Sequence, residues 1–132
     1  MHFEVRTTSR EQLVDVTERV AEAVRHANVG EGIVLVSSPH TTAGITVNEN
    51  ADPDVARDIL IGLERISPRE GGWRHVEGNS DAHLKTALVG TSAMLPIAGG
   101  RVALGTWQAV YFAEFDGPRS RHFDVTVVGD AR

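Results

Sequence analysis

Residues 74–88, RHVEGNSDAHLKTAL, bring together two histidines, two acids, an asparagine and the chain's only lysine. His75 and His83 bracket the EGNSDA segment, and His40 stands in SPHTTAG, just past an apolar run. Three imidazoles meeting in space would make a zinc site of the catalytic type, with a fourth position open. The spacing alone is not diagnostic. Eight positions separate His75 from His83, unlike the i, i+4 pair of an H-E-x-x-H helix. A half-buried imidazole that donates one hydrogen bond to a carbonyl is the plainer alternative. Asp81 reads either as a first-turn acid that complements a helix dipole, or as a carboxylate that orients a ligating imidazole or acts as a general base. Asn79 reads as a helix cap or as a ligand contact.

Two further blocks share this dual character. In SPHTTAGITVNENADPD, the side chains of Thr41, Thr42, Asn48, Glu49 and Asn50 form a dense polar row beside His40. Gly44 would let the backbone approach something closely. The plain reading is that Asn50–Asp52 only enter a helix. In GTWQAVYFAEFDGPRSR the aromatic residues belong to a core by alternation, with Gln108, Glu114 and Asp116 as polar punctuation. Arg119 and Arg121, beside a Gly-Pro turn, could grip an anion with their planar forks; otherwise the segment is a solvated hairpin. Twelve of the thirteen basic residues are arginine, so the lone Lys85 hints at a site that wants an ammonium. His2 is terminal and His26 falls where a helix end favours a cation, so neither needs a functional account, and His122 is placed on a strand's polar face.

These residues need elements to position them. FEVRT alternates as a half-buried strand. Ser9 and Gln12 form a capping-box pattern ahead of Leu13, Val16, Val20 and Val24, which recur at helical spacing up to Gly30. GIVLVSS and ITVNE read as strands. Asp52 caps a second helix with Pro53 at its first position, and Pro68 stops it. Asn79 or Ser80 opens a short third helix that ends at Gly90. SAMLPIA, RVALG, TWQAVYFAEF and RHFDVTVVG follow as sequential antiparallel strands around turns at 99–100 and 117–118. Helices among strand runs in this order predict an α+β fold in one domain over residues 1–132.

Composition narrows the function classes. With 132 residues, 41% hydrophobic and 23% charged, the chain can bury a core of its own. A net charge of -5 argues against a nucleic-acid partner. The absence of cysteine excludes disulfides, thiolate metal sites and cysteine nucleophiles. No apolar run approaches the roughly 20 residues that span a bilayer, and the N-terminus lacks a signal-peptide core. The expectation is a cytoplasmic protein with no membrane partner.

Together HTTAGITVNENADPD, HVEGNSDAHLKTALVGTS and LGTWQAVYFAEFDGPR resemble the YjbQ-like family, in its order and spacing, over about residues 3–129. The resemblance implies a compact α+β domain with a curved mixed, largely antiparallel sheet, two main helices and one short helix. It further implies a homotrimer, a metal site at the histidines of these blocks, and a secondary thiamine-phosphate synthase activity. His40, His75 and His83 are then the metal ligands, with zinc as the expected ion. Coupling a pyrimidine pyrophosphate to a thiazole phosphate needs anion stabilisation, and magnesium would suit the phosphates better than a three-histidine site. Lys85 and Arg119 would hold a small anionic or phosphorylated ligand, with Asn79 and Thr41 beside it. Asp81 and Glu114 would move a proton or bind a second cation. Many relatives carry cysteine where Ala113 stands, so thiol chemistry has no part here. Two other readings stay open: metal-assisted hydrolysis or lyase chemistry on a small phosphorylated or carboxylated metabolite, and a non-enzymatic metal- or anion-binding trimer.

Overall fold

The computed structural model describes all 132 residues. In chain order the elements are β1 (His2–Arg6), β2 (Gln12–Asp15), α1 (Thr17–Ala27), β3 (Val29–Ser37), β4 (Ala43–Glu49), α2 (Pro53–Ile66), α3 (Ser80–Val89), β5 (Ser92–Ala98), β6 (Arg101–Val102), β7 (Gln108–Glu114) and β8 (Ser120–Ala131). The α+β class stands as the element order implied. The strands form two sheets, β1-β8-β3-β5-β6 and β2-β7-β4, and every pairing is antiparallel.

Alternation places the core. Val34 and Val36 of β3, Ile45 of β4, Val110 and Phe112 of β7, and Phe123 and Val125 of β8 meet Val20 and Val24 of α1 in one buried cluster. Both sheets and α1 therefore share one interior. Strand β7 is buried on both faces. Its Ala113 faces a smaller cluster with Ala82 and Phe115, flanked by Leu60 and Leu63 of α2. Small residues on that face let α3 approach. At Gly44, which pairs with Ala113, an added Cβ would lie 2.3 Å from the Gly90 carbonyl oxygen. The close approach expected of Gly44 is to the chain's own α3 terminus.

The first helix starts later than its periodicity predicts. Leu13 and Val14 belong to β2, where they pair with Ala113 and Phe112. The capping box does not form. The Gln12 side chain accepts from the Thr8 N–H at 2.9 Å and donates to the Thr8 hydroxyl at 3.1 Å. Asp15 takes over the start of α1, accepting from the Thr17 N–H at 2.9 Å. Valine recurs at both helical and strand-compatible positions here, so pairing with β7 decides the outcome.

Helix α2 begins as the sequence indicates. Asp52 accepts from the Asp54 N–H at 2.9 Å, with Pro53 in the first turn. Asp52→Ala is expected to cost about 1 kcal/mol, read as a small fall in the urea midpoint with an unchanged slope. No residue of α2 is fully buried; Leu60 and Leu63 pack half-buried against the smaller cluster, and the cap adds to that contact.

Candidate functional site

The site grows from two chain reversals. Beyond β3, the Ser38 hydroxyl donates to the Ala43 carbonyl at 2.8 Å and accepts from the His40 N–H at 3.2 Å. The Ser38 N–H reaches the Thr91 carbonyl at 2.8 Å, joining this turn to the link between α3 and β5. His40 and Thr41 on one side, and His83, Thr86, Gly90 and Thr91 on the other, line an open cleft of about 380 Å³. Thr86 is only 3% exposed, yet its hydroxyl has no hydrogen-bond partner. The backbone N–H groups of Thr41 and Thr91 also lack a partner within the chain. The Thr86 hydroxyl is a buried polar group without a partner, which costs free energy, whereas Thr41 and Thr91 are exposed residues whose N–H groups a ligand could reach.

His40 has a defined role in this wall. The His122 N–H donates to its Nε2 at 3.0 Å, which leaves the ring proton on Nδ1. The His122 carbonyl stands 3.1 Å from the same Nε2, where it would accept from the ring in the Nε2–H tautomer or in the charged form. Burial, then the charges of Arg121 and His122, lower the His40 pKa below the ordinary imidazole value. The neutral form is therefore the stable one, and folding stability falls as acid forces a proton onto Nε2. An NMR pH titration should find the His40 ring neutral at pH 6.5 with Nδ1 protonated. A ring half-charged or more at that pH would contradict this assignment.

The three predicted ligand histidines come together only in part. His83 shares the cleft with His40, and its ring centre lies 5.6 Å from that of His75. His75 lies in the exposed loop, 3.9 Å from Glu77. Nowhere do three or more His, Asp or Glu side chains form a group that could hold a metal ion. The donor set of one chain thus does not fit the zinc or magnesium expected from the sequence.

The predicted charged residues are engaged elsewhere. Lys85 is fully buried, with its Nζ 2.7 Å from Glu64, 3.0 Å from Asp81 and 3.2 Å from Glu11. Glu64 and Asp81 accept hydrogen bonds from the ammonium and Glu11 faces it as an ion pair, so three carboxylates already surround the charge that a phosphate would need. Arg10 grips Asp81 with both terminal nitrogens at 3.1 Å. Burial opposes the charges on Lys85 and Asp81. For Lys85, hydrogen bonds to Glu64 and Asp81 outweigh it and raise the pKa; for Asp81, Arg10 and Lys85 outweigh it and lower the pKa. Asp81 is thus a brace for two cations, where a general base was expected. Glu114 is likewise closed in. It accepts from Thr7 at 2.8 Å, from Arg121 Nε at 2.9 Å and from the Asp116 N–H at 3.2 Å.

Arg119 bonds the Asp116 carboxylate at 3.0 Å and the Asp116 carbonyl at 2.9 Å, which is the hairpin arrangement and not an anion grip. Asn79 donates to the same carboxylate at 2.9 Å and makes no side-chain cap bond. Of the ligand contacts predicted, only Thr41 lies on the cleft. Sequence reasoning missed Thr86 and Thr91. Threonine carries no motif signal, and only the fold shows that the Thr86 hydroxyl is buried alone.

Comparison with known proteins fixes the class. The family described as UPF0047 protein YjbQ-like matches residues 1–130, and the chain belongs to it. A UPF0047 protein of Methanocaldococcus jannaschii is 49% identical, over 97% of this chain and 93% of that one. The UPF0047 protein YugU of Bacillus subtilis is 44% identical, over 96% and 97%. Among solved structures, an uncharacterised conserved protein of the family from Clostridium acetobutylicum superposes with a TM-score of 0.96 at 48% identity, covering 97% of this chain and 99% of that one. A YbjQ-like protein of unknown function from Sulfolobus solfataricus gives 0.95 at 32% identity, over 98% and 96%.

These findings correct the functional expectation. The relatives are proteins of uncharacterised or unknown function, and none is described as a thiamine-phosphate synthase or a metal-dependent enzyme. The thiamine-phosphate synthase and metal-dependent enzyme expectation thus has no support among these relatives, and one chain alone does not bring three metal-ligating side chains together. No helix is long and apolar enough to cross a membrane.

Proposed function

We propose that the protein binds a small oxyanion-bearing ligand, a carboxylate or phosphate, in the cleft of His40 and His83. The observation that carries this reading is the Thr86 hydroxyl, buried at the cleft with no partner of its own. Around it stand the Nδ1–H of neutral His40, the hydroxyls of Thr41 and Thr91, and their free backbone N–H groups. All of these can donate to one acceptor-rich group. The ligand needs oxygens to meet the threonine and histidine donors of the cleft wall.

Self-association into a homotrimer is the second part of the proposal. On the five-stranded sheet, Ile33 pairs with Val128, and Leu35 pairs with Met94. Ile33, Met94 and Val128 are exposed and form neighbouring points of one apolar sheet face, a feature of association surfaces. Light scattering should return three times the 14.3 kDa chain mass; a stable monomer at micromolar concentration would end that part.

Calorimetric titration with inorganic phosphate and with acetate tests the ligand reading. Thr86→Val keeps the shape and removes the hydroxyl. It should weaken binding roughly threefold to tenfold, the worth of one neutral hydrogen bond. Equal affinity in wild type and Thr86→Val, or no binding by wild type, would reject the reading.

A further inference from the structure

The largest cavity lies elsewhere, and it shares no residue with the His40–His83 cleft. It measures about 480 Å³ and opens between α1, the β5–β6 turn and the chain's last residue. Its apolar lining comes from Val20, Ala21, Val102, Leu104 and Val110. Val20 and Val110 are buried core residues, so the cavity reaches the main interior. Three arginines, Arg25, Arg101 and Arg132, also line it, and no acidic residue does. Arg10, Arg119 and Arg121 each pair with a carboxylate, whereas Arg25, Arg101 and Arg132 pair with none. The one neutral hydroxyl on the wall is already engaged, since Thr17 donates to Asp15 at 2.6 Å and accepts from the Val110 N–H at 2.9 Å. Gly100 keeps the entrance narrow-walled: a Cβ there would fall 2.5 Å from a terminal nitrogen of Arg132, so the guanidinium lies against bare backbone.

We propose that this cavity is a second binding site, for a small amphiphilic anion whose carboxylate or comparable head meets the three guanidiniums and whose apolar body rests on the valines. The size falls in the usual range of small-molecule pockets. Three unpaired guanidiniums around one cavity favour negative charge there, although the chain as a whole carries -5. An inorganic ion alone would leave the apolar floor uncovered. An uncharged tail would leave the guanidiniums unanswered. Only a molecule with both parts uses the whole lining.

The test uses octanoate, butanoate and octanol with the full chain, followed by calorimetry and by methyl NMR of Val102 and Leu104. Octanoate should bind and shift those methyls. Butanoate, with four fewer methylenes, should bind at least about tenfold more weakly. Octanol, with the tail and no charge, should also lose at least about tenfold. Arg25→Gln with Arg101→Gln should weaken octanoate by at least about tenfold while the unliganded protein melts as wild type, because both side chains are exposed and bonded to nothing. The Val102 and Leu104 methyl shifts report this cavity alone, because neither residue lines the His40–His83 cleft, where a carboxylate also binds. No octanoate binding at millimolar concentration, equal binding of octanol, or undiminished binding by the double arginine variant would each overturn the proposal.

Discussion

Lys85→Met is expected to destabilise the fold by about 3–5 kcal/mol, lowering the melting temperature by roughly 10 °C or more. The variant leaves Glu11, Glu64 and Asp81 clustered around an uncharged side chain. Asp81 is fully buried and retains only Arg10. Glu64→Gln should cost far less, about 1 kcal/mol or under, because that carboxylate is 40% exposed and water replaces its partner. The contrast separates the cage from a ligand contact. A lysine that served a ligand would lose affinity on substitution and keep its stability.

The cage also sets a pH window. Asp81 and Glu64 are held below their ordinary pKa, by hydrogen bonds from Arg10 and Lys85 and from Lys85 and Arg69 that outweigh the opposing effect of burial. Their contribution is present above the ordinary carboxylate range of about 4 and is lost as pH falls through the lowered values. The Lys85 pKa is raised, so its contribution persists up to about pH 10 and is lost above that. Denaturant midpoints should therefore vary little from this source between about pH 5 and 9. In Lys85→Met the midpoint should recover part of its loss as acid protonates the unpaired carboxylates.

Arg121→Met is the second large effect, again about 3–5 kcal/mol. Arg121 and Glu114 are both buried to within a few per cent, and Arg121 also donates to the Thr42 hydroxyl at 2.8 Å. Its removal strands a carboxylate in the interior. Pairing it with Glu114→Leu should cost less than the two single losses together, with a coupling of about 1–3 kcal/mol in a double-mutant cycle. Additive losses would show that the two side chains act separately. The same substitution reaches the site. The Arg121 charge helps lower the His40 pKa, so the His40 titration should move upward in Arg121→Met.

Much of the fold is written in the hydrophobic periodicity. The strands from Ser92 onward, the Gly-Gly turn and the Asp52-Pro53 start of α2 follow from local chemistry alone. The region around Leu13 does not. Its valines suit helix and strand equally, and only the β7 partner settles the matter. The site was legible as blocks but not as roles. Glu114 keeps phase with Val110 and Phe112, and Arg121 with Phe123 and Val125. Alternation thus already points this acid and this arginine into the core, where a pair is the economical outcome. Lys85 misleads for a physical reason. A single lysine beside histidines resembles ligand chemistry, yet the acids that answer it sit in β2 and α2, distant in sequence. Gly44 gave a true signal of close approach without naming what approaches.

The most direct measurement of the central claim is an amide NMR titration of the full chain with inorganic phosphate. The claim predicts saturable shifts at Thr41, Thr86, Thr91 and His83, reduced in Thr86→Val. Shifts confined to the arginine-lined cavity, or none at the His40–His83 cleft, would contradict it.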